Sequence, residues 1–255
     1  MKVIISLTSI PSRFDKLGPI LTGLTFQTCH EIWLCIPRKY NRFPDWDGQI
    51  PEHLYNIHPK VVIQRDCEDF GPGTKFIAPA LKLLPDDIII YVDDDTAYDA
   101  HLATNFLKWH RHDPTSAWGL SGFTFENYFK GNYPRSHARE VDVLEGYGGV
   151  VVRAGWIQEA LPDFRELLEV TWHDDMILCN LLEKMGVKRR TIHTPECNLT
   201  KMQQYNFGFS DDALHRLAGL GGHPANNKRI LEGFKDKKKL YYKYDPSFPA
   251  RVGER

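Results

Sequence analysis

Apolar positions in this chain fall into short, nearly unbroken runs, separated by stretches in which they recur every three or four residues. The runs at 3–7, 32–36, 61–63 and 88–92 are rich in Ile, Val and Leu and do not alternate with polar residues. That is the pattern of strands covered on both faces. Between them, residues 13–27, 74–84 and 99–112 read as helices. Ile77, Leu81 and Leu84 recur at helical spacing in the second, and Pro19 marks the start of the first or interrupts it. Strand alternating with helix predicts an α/β fold with a mostly parallel central sheet and helices on both faces.

The second half is less regular. Residues 118–123, 141–144, 149–152 and 187–192 read as short strands. Residues 173–185 read as a helix with Asp174 and Asp175 in its first turn and Gly186 at its end. Residues 124–140 are aromatic and polar, as in a loop or insertion. Glycine- and asparagine-rich segments and a basic tail follow residue 192. With no repeat and no convincing linker, a single domain over 1–255 is expected.

Composition narrows the function classes. The 255 residues are 42% hydrophobic and 25% charged, which excludes a disordered or fibrous chain. The 32 Lys and Arg balance 33 Asp and Glu, so no overall field draws the protein to nucleic acid, and no nucleic-acid partner is expected. The five cysteines, Cys29, Cys35, Cys67, Cys179 and Cys197, are odd in number and form no CxxC pair. This argues against a disulfide scaffold or zinc knuckle and fits a reducing compartment. The N-terminal apolar run is about half as long as a signal-peptide core, and no stretch approaches the roughly 18–20 apolar residues of a membrane span. A cytoplasmic location is expected. Seven Lys or Arg against two acids between Lys228 and Lys243 leave peripheral membrane contact open to the tail.

Candidate chemistry concentrates at IIIYVDDDTAY, residues 88–98, where an apolar strand runs into Asp93, Asp94 and Asp95. In open α/β sheets ligands bind at the carboxyl ends of strands. In extended chain Asp93 and Asp95 share a face and Asp94 lies opposite. Adjacent carboxylates raise one another's pKa, and a hard cation such as Mg2+ or Mn2+, often bridged to phosphates, relieves the repulsion. The bland alternative is an acidic turn capping the next helix. In LTSIPSR, residues 7–13, Thr8, Ser9 and Ser12 offer hydroxyls and Arg13 a fork for phosphate, or the hydroxyls merely cap a helix. In RDCEDFGPGTK, residues 65–75, Gly71 and Gly73 permit a tight turn and Lys75 sits near a helix N-terminus, where phosphates are favoured; the spacing is not that of a Walker A loop. Gly146, Gly148 and Gly149 allow a ligand close to the backbone, or form a plain hairpin turn. Asp174 and Asp175 complement a helix dipole or, across a pocket from a metal-diphosphate, supply a general base. His193, His215 and His223 lie C-terminal to these motifs; as a further metal ligand, His223 in GLGGHPANN is the first choice.

Taken in this order, LTSIPSR, FGPGTK, VDDDTAY, GYGG and HDD resemble the motifs of GT-A glycosyltransferases, the nucleotide-diphospho-sugar transferase fold, over roughly residues 1–195. GPGTK followed by VDDD resembles small bacterial and viral members of the Asp-x-Asp type. The resemblance implies a UDP-sugar donor, a glycan or other hydroxyl acceptor and Mn2+ (or Mg2+). It implies a nucleotide-sugar-binding half over 1–115, an acceptor and catalytic half over 116–195 and a closing C-terminal segment over 196–255. It puts Thr8, Ser9, Ile10 and Arg13 around the nucleoside, Asp66 near the base and Lys75 near the ribose or diphosphate. Asp93–Asp95 become the Asp-x-Asp motif, with Asp95 on the metal and Asp93 on the ribose or a metal-bound water. Gly148 and Gly149 pack against the sugar, and the pair Asp174–Asp175 supplies the base, best aligned with Asp175. The acidic pair fits inversion, although retaining enzymes of this fold can also carry acids there. One rival reading is a haloacid-dehalogenase-like phosphatase, with Asp93 as nucleophile, Asp95 as acid/base and Asp174–Asp175 at a second magnesium. Its motif normally follows the first strand of the fold, and here three strands precede it. A second rival is a non-enzymatic carbohydrate-binding protein.

Overall fold

The computed structural model describes residues 1–129, 139–216 and 224–242. The four apolar runs of the first half become β1 (Val3–Thr8), β2 (Glu31–Cys35), β3 (Val61–Gln64) and β4 (Ile88–Tyr91), all paired in parallel. They do not alternate because both faces are covered. Ile4 and Ile89 are buried in one core layer, Ile5 and Ile90 in the other. A two-residue β5 (Thr96–Ala97) follows the acidic turn. The second half adds β6 (Ser116–Gly119), the antiparallel pair β7 (Gly122–Phe123) and β8 (Val143–Leu144), then β9 (Val150–Arg153), β10 (Lys188–Thr191) and β11 (Gln203–Gln204). β9 runs antiparallel between β4 and β6, giving a seven-stranded sheet in the order β10-β6-β9-β4-β1-β2-β3. This is the mostly parallel, helix-flanked α/β sheet that the hydrophobic pattern predicts.

The helices are α1 (Gly18–Leu24), α2 (Thr74–Ala80), α3 (Leu102–His112), α4 (Phe125–Phe129), α5 (Ala154–Leu168), α6 (Asp174–Lys184) and α7 (Pro224–Asp236). Ile77 of α2, Phe164 of α5, Leu178 of α6 and Phe234 of α7 pack into one layer; Leu21 of α1 and Phe106 of α3 pack into the other. Several extents differ from expectation. The helix expected over 13–27 is a 3-10 turn (Pro11–Lys16) followed by α1, with Pro19 in the first turn, where a missing N–H costs little. α2 ends at Ala80, with Pro79 inside its last turn, and Leu81 and Leu84 are exposed rather than core. α3 starts at Leu102, after Gln27 has bonded both the Asp99 carbonyl (2.6 Å) and the Ala103 amide (3.0 Å). The strand expected over 118–123 divides into β6 and β7. Within the expected loop at 124–140, Phe125–Phe129 is helical, and 130–138 lie outside the described residues. α5 and β11 had no counterpart in the pattern. No helix among the described residues is long and apolar enough to cross a membrane, and the five cysteines are free thiols.

Register fixes where the chemistry sits. Ser6 pairs with Tyr91, and Tyr91 with Val150. The segments leaving β1 and β4 and the loop entering the antiparallel β9 therefore emerge at one edge of the sheet.

Candidate active site

At that edge lies a cavity of about 230 Å3. Thr8, Ser9 and Ile10 line one wall, Asp93–Asp95 the floor and Trp172–Asp175 the far wall, while residues 208 and 212–214 lie across it. The floor departs from the sequence expectation. The strand ends at Tyr91 and the acids lie on the turn before β5, so strict alternation lapses. Asp94 and Asp95 both face Arg13, at 2.6 and 3.6 Å, whereas Asp93 turns to Lys75 at 2.7 Å.

Lys75 occupies the first turn of α2, after the glycine turn Gly71–Gly73. Gly71 has φ +58°, and a Cβ there would lie 2.9 Å from the Trp172 ring, so both backbone and space require glycine. The turn directs the buried Lys75 ammonium between Asp93 and Asp174, the latter an ion pair at 3.1 Å. Burial alone lowers a lysine pKa; Asp174, Asp93 and Asp175 outweigh it and raise that of Lys75 well above its usual value. Arg13 is likewise buried. It donates to Asp94 and Gly208 O, and Asp94 also accepts from the Ser9 hydroxyl. The Tyr40 hydroxyl fixes the Ser9 carbonyl at 2.6 Å.

Seven carboxylates (Asp69, Asp93, Asp94, Asp95, Asp174, Asp175, Asp212) thus line the cavity with three cations, Arg13, Arg42 and Lys75, among the described residues. The imbalance is felt most at two groups. Burial, with Asp93 and Asp94 beside it, pushes Asp95 up to about 7. Burial and Asp174 raise Asp175 well above the ordinary carboxylate range, against the pull of Lys75. One Asp175 oxygen accepts the Gly146 amide at 2.9 Å; the other, Oδ1, is buried without a hydrogen-bond partner among the described residues. Burial lowers the His173 pKa, against the pull of Asp174. Ligand atoms of His173, Asp174 and Asp175 lie within 4.8 Å of one another. Surplus buried negative charge on hard oxygen donors fits a divalent cation.

The structure brings Thr8, Ser9, Ile10, Arg13, Lys75, Asp93, Asp94, Asp95, Asp174 and Asp175 to this one cavity. Asp66 is not among the lining residues; it is exposed and paired with Arg38, and Asp69 lines the cavity instead. Gly148 and Gly149 are not at the cavity either. A Cβ on Gly148 would meet Ser121, and one on Gly149 would meet Phe106. Of the three glycines it is Gly146 that approaches the site, where a Cβ would lie 2.8 Å from Lys75 Nζ. His223 lies outside the described residues. Within the C-terminal segment expected over 196–255 to close the site, the sequence singled out none of residues 205–212, the stretch just after β11. There Tyr205 N donates to Asp95 O (2.7 Å), the Asp212 carboxylate accepts from Ser12, and Arg42 donates to the Asp212 carbonyl (2.5 Å).

No protein-family profile matches the chain, and no curated protein matches it in sequence. Among solved structures, it is similar to the mannosyltransferase PcManGT from Pyrobaculum calidifontis, determined in complex with GDP-Man and Mn2+. The TM-score is 0.53 at 14% identity, over 97% of this chain and 66% of that one. The chain thus spans just under two thirds of that protein's length. A CMP:2-keto-3-deoxy-manno-octonic acid synthetase complexed with CTP also matches, with TM-score 0.45 and 14% identity over 76% of this chain and 90% of that one. At these identities the likeness is one of fold: a nucleotide-sugar transferase fold.

Proposed function

We propose that this chain is a metal-dependent glycosyltransferase that moves a sugar from a nucleoside-diphosphate sugar to a hydroxyl acceptor. The observation carrying this reading is the crowding of carboxylates, Asp93–Asp95 after β4 and Asp174–Asp175 at the start of α6, around one cavity on a nucleotide-sugar transferase fold. The mannosyltransferase of similar fold was captured with GDP-Man and Mn2+, which supports a nucleotide-sugar and a divalent metal here. A UDP-sugar remains the donor implied by the sequence resemblance, with GDP-sugars the second class to test.

Asp93 and Asp95 are the proposed metal-holding carboxylates. A divalent cation held there would neutralise the charge that develops on the departing diphosphate. Arg13 and Lys75 lend positive charge to the same edge. Asp175 is the proposed base. One oxygen is anchored by Gly146 and the other has no hydrogen-bond partner among the described residues, the arrangement needed to take a proton from an acceptor hydroxyl. Asp174 is tied to Lys75 and orients it. The hydroxyl oxygen then attacks the anomeric carbon from the face opposite the diphosphate, with inversion.

Thermal-shift scanning of UDP- and GDP-sugars with and without Mn2+ tests the reading. Metal-dependent stabilisation by a nucleoside diphosphate is the expected result. Stabilisation by beryllofluoride without any nucleotide response would replace the reading with a phosphatase.

A further inference from the structure

The two sides of the cavity belong to distant parts of the chain: the acids after β4, and Asp175 at the start of α6. Transfer requires a fixed spacing between them. Lys75 provides one link, by charge, between Asp93 and Asp174. A second link runs through Tyr98, one residue past β5. The Asp93 amide donates to the Tyr98 hydroxyl at 2.9 Å, and that hydroxyl donates to the Tyr147 carbonyl at 3.0 Å. In the same 3-10 turn, Gly146 donates to Asp175 at 2.9 Å. The phenol has a single proton, and it is spent on Tyr147; its lone pair is left for Asp93. The bridge is therefore directional at both ends, and it joins backbone to backbone.

We propose that Tyr98 is a positioning residue that sets the spacing between the acidic edge and Asp175. The inference rests on the glycosyl-transfer reading above. The two links differ in what their loss does. Removing Lys75 strips charge from the floor. Removing the Tyr98 hydroxyl leaves every charge in place and takes away this tie between the Gly146–Gly148 turn and Asp93. Donor binding depends on charge, and turnover depends on spacing. A displacement of about 1 Å is worth about a hundredfold in rate.

The test is Tyr98→Phe, which keeps the ring and its packing. Donor dissociation constant by calorimetry with Mn2+, kcat for transfer, and amide hydrogen exchange are measured side by side. The expected result is a donor affinity within about threefold of wild type, a kcat lower by about tenfold to a hundredfold, and faster exchange at residues 146–149. A kcat within about twofold of wild type, with wild-type transfer established, overturns the positioning role and leaves the glycosyltransferase reading standing. Affinity and kcat falling by the same factor overturn it equally, because that is general damage to the site. Absence of transfer by the wild type with any nucleotide-sugar overturns both.

Discussion

Lys75→Met isolates what the buried ammonium does for the fold. Methionine has nearly the same length and shape, so packing changes little. What is lost is the buried cation that pairs with both Asp93 and Asp174, whose side chains are 31% and 8% exposed. Removing one partner from a buried ion pair costs about 3–5 kcal/mol, because the other charge is left uncompensated. Asp93 is partly hydrated, which places the expected loss near the lower end, about 3 kcal/mol at pH 8. For a chain of this size that corresponds to a fall in Tm of about 6–12 °C. The loss is pH-dependent, with a definite sign. Lys75 is the cation that holds the Asp175 pKa down. That pKa is already raised with Lys75 present; without it the folded state holds the proton more tightly still, so the variant's deficit narrows as pH falls. Urea unfolding of both proteins at pH 8 and pH 5 reads the effect directly. A deficit below about 1 kcal/mol at pH 8, or a deficit that widens as pH falls, refutes the reasoning.

Three further outcomes are expected. Asp175→Asn loses transfer while keeping Mn2+-dependent donor binding, measured by turnover and calorimetry; loss of donor binding removes Asp175 from the role of base. Asp95→Asn mimics the protonated acid. With the folded pKa at about 7 against an unfolded value near 4, wild type loses stability as pH rises through that window. The variant's advantage therefore grows by roughly 2–3 kcal/mol from pH 5 to pH 8 in the absence of metal, while its stabilisation by Mn2+ disappears; a constant difference refutes the assignment. Gly208→Ala forces a methyl into the Asp95 carboxylate, with the new carbon 2.7 Å from Cγ, and costs about 1–3 kcal/mol together with weakened Mn2+ binding; unchanged Mn2+ affinity by calorimetry argues against contact between this segment and the acids.

The sheet was legible because Ile88–Tyr91 and its neighbours are buried on both faces, and an unbroken apolar run followed by acids has few other readings. α5 was not, because it follows β9 without a spacer and carries Gly155 and Pro162, although Ile157, Ala160, Phe164 and Leu167 do recur on one face. At the site, residue types could be named from motifs, but partners could not. Arg13 meets Asp94 across 81 positions of sequence, and Asp212 meets Ser12 across 200. Asp66 and Asp69 lie three apart in one motif, and only the turn that bonds the Asp69 carboxylate to Asn41 and Gly71 separates a cavity residue from a surface one.

The reversed strand β9 also bears on whether this chain can be dissected. It is hydrogen-bonded to β4 from the first half and to β6 from the second. A cut in the exposed 114–115 connection would leave Ile88–Tyr91 with a bare ladder edge on one fragment, and Val150–Arg153 with another on its complement. Neither piece is then a self-sufficient folding unit. Produced separately, the two should aggregate; co-expressed, they should reassemble as β9 pairs with β4 and β11 with β5, so a split version of this protein would report on the meeting of its parts.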